Sequence, residues 1–185
     1  MPHFHYHDED ERRTWQDPVV ILADIGLGEG IVVIDVGCGQ GFFALPAARR
    51  VGNSGRVFGI DIDPEAVAMM MERAGSEGLQ NIEGVVGTGE ETVICEGCAD
   101  VVFFGIDLHD FSDPKKVLAN ARRMMKISGR LVDLDWKKEE TPFGPPLHIR
   151  FSEEEAAELI EGAGFSVIEV RNIPPWFYRI TAVSQ

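Results

Sequence analysis

Ile31-Val-Val-Ile-Asp-Val-Gly-Cys-Gly-Gln-Gly-Phe-Phe43 is the stretch whose reading decides the fold. An apolar run of strand type ends at Asp35 and enters a turn with glycines at 37, 39 and 41. An apolar, Ala-rich segment of helical character follows, to about Arg50. Glycine at those points lets the backbone take positive φ and lets a ligand approach with no Cβ in the way. A strand, a glycine turn and a helix N-terminus together form a nucleotide-binding unit. In the dinucleotide fingerprint the third glycine falls three residues after the second, which here is position 42, a Phe. Asp35, two places before the first glycine, would also repel a pyrophosphate lying on the helix N-terminus. Both departures suit a ligand that carries positive charge and no phosphate.

Val57-Phe-Gly-Ile-Asp61 is a second short apolar run ending in a carboxylate, twenty residues after Gly41. A β-α-β unit places Asp61 at the tip of the neighbouring strand, where it can accept hydrogen bonds from both hydroxyls of a ribose. Asp63-Pro64-Glu65 supplies a cap and first turn for the next helix, which leaves Asp61 free for that role. The acidic-x-Gly-x-Gly-x-Gly pattern resembles motif I of the class I S-adenosylmethionine-dependent methyltransferases. Further along, Cys98-Ala-Asp-Val-Val-Phe-Phe104 resembles their fourth-strand motif. Leu108-His-Asp-Phe-Ser-Asp-Pro114 resembles the Leu-His-His-Leu-x-Asp-Pro loop of the type 11 group, which includes the quinone-biosynthesis C-methyltransferases. Ala121 to Gly129, running into Arg130-Leu-Val-Asp-Leu-Asp-Trp136, is similar to that group's Arg-x-Leu-Lys-Pro-Gly-Gly turn and fifth strand.

The resemblance covers roughly residues 17–183 and implies a Rossmann-like, doubly wound α/β sheet of seven strands in the order 3-2-1-4-5-7-6. Strands are expected near 31–36, 56–61, 82–87, 100–106, 129–135, 165–171 and 176–183, and helices near 41–50, 64–75, 114–126 and 153–162. A short helix from Val19 to Ile25, capped by Asp17-Pro18, precedes them. Asn172-Ile-Pro-Pro175 is too short for a crossover helix, so the last strand runs antiparallel. Val67, Met70, Met71 and Ala74, and likewise Val117, Ala121 and Met124, share helical faces and read as core. Residues 1–16 form a polar arm or lid, and 17–185 one cofactor-binding domain.

Composition bounds the partners. With 44% hydrophobic and 26% charged residues, the 185-residue chain has an ordinary globular make-up. A formal charge of −14 speaks against a nucleic-acid partner, whose phosphates need a basic surface. No run has the length of a membrane span and no signal peptide is evident. Three cysteines make no disulfide framework, so a reducing cytoplasm is the expected location. Cys95-Glu-Gly-Cys98 has redox or metal spacing, but a single pair falls short of a structural zinc set, and two ordinary thiols are expected. His3, His5 and His7 with Asp8 and Asp10 can capture a metal adventitiously; no resident metal is expected.

The family pattern implies S-adenosylmethionine as cofactor. Asp35, Gly37, Cys38, Gly39 and Gly41 would shape the floor under its methionine and ribose portions, and Asp61 would hold the ribose hydroxyls. Gly105 would back the methionine end, and Ile62 is a cofactor contact with no particular part of the ligand assigned. Where the family usually carries Gly-Asp after the third strand, this chain has Gly87-Thr88, so Thr88, Gly89 or Glu90 would meet the adenine. His109, flanked by Asp107 and Asp110, is the candidate general base, with loop bracing as the plainer reading. Asp135 either faces the pocket or makes a salt bridge. Trp15 on the arm, Trp136 and His148 are lid or substrate candidates, with Phe143, Leu147 and Trp176 making an apolar acceptor plausible. The reaction expected is methyl transfer to a small-molecule acceptor. A non-catalytic S-adenosylmethionine binder is the alternative, and a nicotinamide oxidoreductase a weaker one, opposed by Phe42 and Asp35. Oligomeric state stays open.

Overall fold

The structure is a computed structural model that describes residues 9–185; residues 1–8, with His3, His5, His7 and Asp8, lie outside the described residues. Helices α1 (Glu9–Trp15) and α2 (Pro18–Asp24) precede β1 (Val32–Val36), α3 (Ala44–Val51), β2 (Arg56–Asp61), α4 (Pro64–Ser76) and β3 (Ile82–Val86). Then come β4 (Ala99–Gly105), α5 (Pro114–Met124), β5 (Met125–Trp136), α6 (Glu153–Gly162), β6 (Phe165–Ile173) and β7 (Phe177–Ser184). The strands form one sheet in the order β3-β2-β1-β4-β5-β7-β6. All neighbours are parallel except β7, which runs antiparallel to both β5 and β6. The expected Rossmann-like α/β architecture is the observed one.

Strand composition explains why both faces are covered. In β4, Val101 and Phe103 pack into one core with Leu45, Val57 and Val132, while Val102 and Phe104 pack into the other with Ile34, Leu118 and Ile180. A strand apolar on both faces needs helices on both sides, as parallel sheets require. Of the methionines expected in the core, Met70 and Met124 are buried, and Met71 is partly buried against the same core as Met70. Asp17, Asp63 and Asp113 cap α2, α4 and α5 with side-chain oxygens, each helix opening on a proline. Ser152 and Glu155 close a reciprocal capping box on α6.

Three local expectations change. Helix α3 starts at Ala44 rather than at 41, because Gly41 takes φ +89°, a left-handed conformation no right-handed helix accommodates. Strand β5 begins at Met125 rather than at 129, since Met125 already pairs with Ala99 before a register shift. Residues 9–15, expected as part of a polar arm, are helical. Acidic Glu9, Asp10 and Glu11 sit in the first turn of α1 and Arg12 and Arg13 in the last, complementing its dipole. Glu9 is held outside the helix by Arg73 at 2.5 and 2.9 Å.

Cys95 and Cys98 are joined in a disulfide with a Cα–Cα distance of 6.0 Å, which corrects the expectation of two thiols. Their spacing lets the β3–β4 loop bring the sulfurs together without a second pair of ligands. Cys38 is free and buried. Among the described residues no helix is long and apolar enough to cross a membrane.

Candidate functional site

The parallel strands β1, β2, β4 and β5 deliver their carboxyl ends to one side, and β1 lies between β2 and β4, where the strand order reverses. Ligands of doubly wound sheets sit at that point. The glycine turn after β1 is tied to the tip of β2: the Gly37 and Cys38 amides donate to the Ile60 carbonyl at 2.8 and 3.0 Å. Asp61, expected to be free, has half its work assigned already. Its carboxylate accepts from the Gly39 amide at 2.7 Å and the Asp63 amide at 2.9 Å. A carboxylate offers about four lone-pair sites, so Asp61 braces the turn and keeps acceptors for a ligand's hydroxyls.

Gly37 is required by a close approach as well as by its φ of +80°. A Cβ there would lie 1.8 Å from Asp107 Oδ2. Asp107 reaches this place through Ile106, whose φ of +73° is a genuine outlier for a β-branched residue. Strain of that kind costs on the order of 1–3 kcal/mol and collects at sites where geometry serves a ligand. Both Asp107 oxygens and Asp35 Oδ2 are sealed from solvent and have no hydrogen-bond partner among the described residues. Burial, then the neighbouring Asp61, pushes the Asp35 carboxyl up to about 7, against the pull of Arg12 and the Ala44 amide. Burial raises Asp107 well above the carboxylate range, with the charges of Asp35, Asp135, Asp133 and Asp61 adding to it. The Cys38 thiol is likewise raised by burial and the same acids, which makes it a packing group, not a nucleophile.

Arg12 enters this acidic hollow from α1. Its guanidinium lies 3.8 Å above the Phe42 ring, and its Nε donates to Gln16 Oε1 at 2.7 Å. The residue keeps some exposure along its length, yet burial of the head pushes its pKa down to about 10 while Asp35, Glu9 and Asp107 oppose that. Phe42, the departure from the dinucleotide pattern, is therefore the floor on which a cation rests. Arg12 and Asp107 had no assigned role from sequence; the spacing of Arg12 and Trp15, three residues apart and so on one helical face, was the available signal for Arg12.

His109 occupies a single 3₁₀ turn after β4, Leu108–Asp110. Its Nδ1 lies 2.8 and 2.9 Å from the two oxygens of Asp135 near the end of β5, and its side chain is 2% exposed. Burial works to lower the His109 pKa, but the charge and hydrogen bond of Asp135, with Asp110 beyond, hold it above the ordinary value. Asp135 is itself fixed by the Trp136 amide at 2.7 Å. Asp133 lies deeper, fully buried with no partner, and burial followed by Asp135 pushes it well up. Beside this pair, Trp15 stacks on Phe177 at 5.8 Å and lies within 5.2–6.3 Å of Phe143, Trp136 and Trp176. Trp15 and Trp136 thus meet in one aromatic cluster. His148 is exposed on the loop after β5; the loop meets Trp136 through Arg150, 5.1 Å from the ring, and Phe143, 5.9 Å between ring centroids.

At the other end of the hollow, Ile62 is 52% exposed, and the Gly87 amide bonds the Asp61 carbonyl at 2.9 Å. The next residue, Thr88, has a buried, unpartnered hydroxyl. Glu90 turns instead to the Ser112 and Asp113 amides at 3.1 and 3.3 Å, so it braces a loop. Gly105 has no room for a side chain, since a Cβ there would meet Phe43 at 2.7 Å, and Gly89 is tightly packed, with a Cβ falling 3.0 Å from Phe111.

These groups fit a cationic adenosine ligand. Buried acceptors without donors, at Asp35 and Asp107, cost several kcal/mol apiece unless a positively charged donor meets them. An ammonium with three N–H groups and a nearby sulfonium supply that charge, and a phosphate would aggravate the deficit.

Comparison with known proteins agrees. Residues 27–175 match the methyltransferase domain family. A stretch of 102 residues is 35% identical to nocamycin O-methyltransferase of Saccharothrix syringae, covering 55% of this chain and 36% of that protein. A stretch of 133 residues is 26% identical to demethylmenaquinone methyltransferase of Staphylococcus aureus, covering 72% of this chain and 54% of that one. The chain thus spans between about a third and about half of those relatives. The crystal structure of a SAM dependent methyltransferase from Aquifex aeolicus superposes with a TM-score of 0.89 at 30% identity, covering 97% of this chain and 100% of that one. By its glycine turn, its sheet order and these matches, the chain belongs to the class I S-adenosylmethionine-dependent methyltransferase family, whose cofactor is S-adenosylmethionine.

Proposed function

We propose that this chain catalyses methyl transfer from S-adenosylmethionine to a small-molecule acceptor with a dissociable proton, and that His109 is the general base. The observation that carries the reading is the buried His109–Asp135 pair beside the acidic hollow. S-adenosylmethionine supplies an electrophilic methyl group on a sulfonium. Asp61 would hold its ribose, Thr88 and Ile62 the adenine end, and Asp35 with Asp107 the cationic end. Asp135 fixes the imidazole through Nδ1, and Nε2, with Asp110 Oδ1 3.5 Å away, would take the acceptor's proton. The raised His109 pKa makes it a stronger base at the cost of a smaller deprotonated fraction. The Trp15, Trp136, Phe143 and Trp176 rings would exclude water beside it.

The test is transfer of labelled methyl from S-adenosylmethionine to a panel of hydroxylated metabolites, by wild type, His109→Gln and Asp135→Asn. His109→Gln is expected to lower kcat by about 10²–10⁴-fold with cofactor affinity retained. Removing the Asp135 charge should move the rising limb of the pH profile to lower pH, because that charge raises His109. Unchanged kcat in His109→Gln would remove the base assignment. Cofactor binding with no transfer to any acceptor would favour the non-catalytic binder.

A further inference from the structure

The connection between β3 and β4 runs alongside α5 from end to end. Near its start the Thr88 carbonyl accepts the Glu91 and Thr92 amides at 3.2 and 3.0 Å. Asn120, buried on α5, donates to the Gly89 and Glu90 carbonyls at 3.0 and 2.8 Å. The Glu90 carboxylate accepts the Ser112 and Asp113 amides just ahead of the helix. Val93 and Ile94 then pack on the core that α5 covers. At the far end the Gly97 and Cys98 amides donate to the Arg123 and Met124 carbonyls at 2.8 and 2.9 Å, and Glu96 pairs with Arg123. Residues 88–98 are therefore a strap joining the adenine end of the site to the carboxyl end of α5.

The Cys95–Cys98 bond fastens the far end of that strap. The Arg123 and Met124 carbonyls are among those a helix leaves without intrahelical partners, and the disulfide turn is what aims two amides at them. Its one other tie to α5 is weak: the Ile94 amide meets Met124 Sδ at 3.4 Å, and a thioether is a poor acceptor. Glu96 and Gly97 are exposed and both cysteines are partly exposed, so a small dithiol can reach the sulfurs. Cys38 is buried in the glycine turn, which confines exchange to this pair. A loop of four residues closes little chain entropy, so breaking the bond releases the turn without unfolding the sheet.

Resting on the reading of Thr88 as part of the adenine end, we infer that Cys95–Cys98 is a site of reversible thiol–disulfide exchange with a dithiol, and that the strap carries its state to the cofactor's adenine. A thiolate of the dithiol attacks one sulfur of the pair, and the other leaves as a thiolate and takes a proton. The reagent's second thiol then displaces the first sulfur and closes the reagent's own disulfide. Two electrons and two protons pass to the cysteines, and a small disulfide returns them to the bonded state. Once reduced, the turn no longer holds its amides on the α5 carbonyls, and the slack reaches Thr88 and Gly89. Linkage makes the effect reciprocal: bound cofactor protects the bond from reduction by the factor that reduction weakens the cofactor.

Isothermal titration of S-adenosylmethionine and of adenosine tests this on oxidised wild type, on wild type reduced with dithiothreitol, and on the double variant Cys95→Ser, Cys98→Ser. The reduced protein and the variant should bind both ligands about fivefold or more weakly, with the same factor for each. The variant should be indifferent to dithiothreitol. Intact mass, which rises by two hydrogens on reduction, should show that saturating S-adenosylmethionine raises the dithiothreitol needed by that same factor. A cooperative melt of the reduced protein and of the variant would show the fold intact. Equal affinities in the oxidised and reduced states would overturn the inference and leave the cofactor reading standing. So would a loss for S-adenosylmethionine with adenosine unaffected, which would put the effect at the methionine end, and so would a bond that dithiothreitol cannot reduce in the folded protein. Absence of binding of either ligand in either state would bring down the cofactor reading and this inference with it.

Discussion

At the residue scale the site is governed by carboxylates held where water cannot reach them. Asp35, raised to about 7 by burial and Asp61, holds a proton in the ligand-free protein at mildly acidic pH. A cationic ligand must displace that proton, so binding is linked to its release. Between about pH 5.5 and about pH 7, S-adenosylmethionine should therefore bind more tightly as pH rises, by up to about tenfold per pH unit. Asp35→Asn should flatten that dependence as well as weaken binding; titration calorimetry in buffers of differing ionisation heat measures both. An undiminished slope in the variant would assign the proton elsewhere. Gly37→Ala offers a steric counterpart, because its Cβ would fall 1.8 Å from Asp107 Oδ2 at a positive φ. A loss of at least about 1–3 kcal/mol of stability is expected in denaturant titration, with Asp107 forced out of the hollow. Asp35, Gly37 and Asp61 were legible from spacing as the groups around the glycine turn, where the structure brings Asp61 onto the Gly39 amide. Asp107 was not, because its place depends on the Ile106 backbone, and nothing local in the sequence asks a β-branched residue to adopt positive φ.

Elements carry the next level of control. Helix α1 has seven residues and no buried one; helices this short are marginal alone, so its position depends on the Glu9–Arg73 pair, Arg12 over Phe42 and Trp15 among the aromatic rings. Glu9→Gln should leave the global melting temperature within about 2 °C, since a half-exposed ion pair contributes up to about 1 kcal/mol. Amide exchange over residues 9–15 should nonetheless speed up by about fivefold or more, the factor for 1 kcal/mol of local opening. Unchanged exchange would show that the Glu9–Arg73 pair does not hold α1 in place. The disulfide belongs to this scale too: the Cys95–Cys98 loop precedes β4 at the end of the sheet away from His109, so it bears on the β3–β4 connection and not on the His109–Asp135 pair. The spacing of the two cysteines was visible, whereas their oxidation state was not. Periodicity placed every strand within a few residues. It missed α1 because polar, charged residues without an apolar stripe give no helical signal.

For the whole molecule, the buried acids set a pH dependence of stability. Asp35, Asp107 and Asp133 have folded-state pKa values above their unfolded ones, and His109 is raised as well. The native state then binds more protons than the unfolded chain, so stability falls as pH rises from about 4 toward about 7. Paired acids such as Glu9, Asp24 and Asp100 are lowered by arginine or lysine partners despite burial; their contribution is present above their unfolded pKa and is lost as pH falls below about 4. Calorimetry of the ligand-free protein should give a melting temperature about 5 °C or more higher near pH 5.5 than near pH 8, and a flat profile would mean the acids are hydrated. The sequence by itself determined the strands and the ligand class, because strand periodicity, glycine spacing and strand-end acids act over a few neighbouring residues, and the strand order came with the resemblance to the methyltransferase family. Only the tertiary structure decided which charges share the hollow. Arg12, Asp35, Asp107 and the His109–Asp135 pair come from four separate segments, and their energies depend on burial and mutual distance, which exist only once the chain has closed around them.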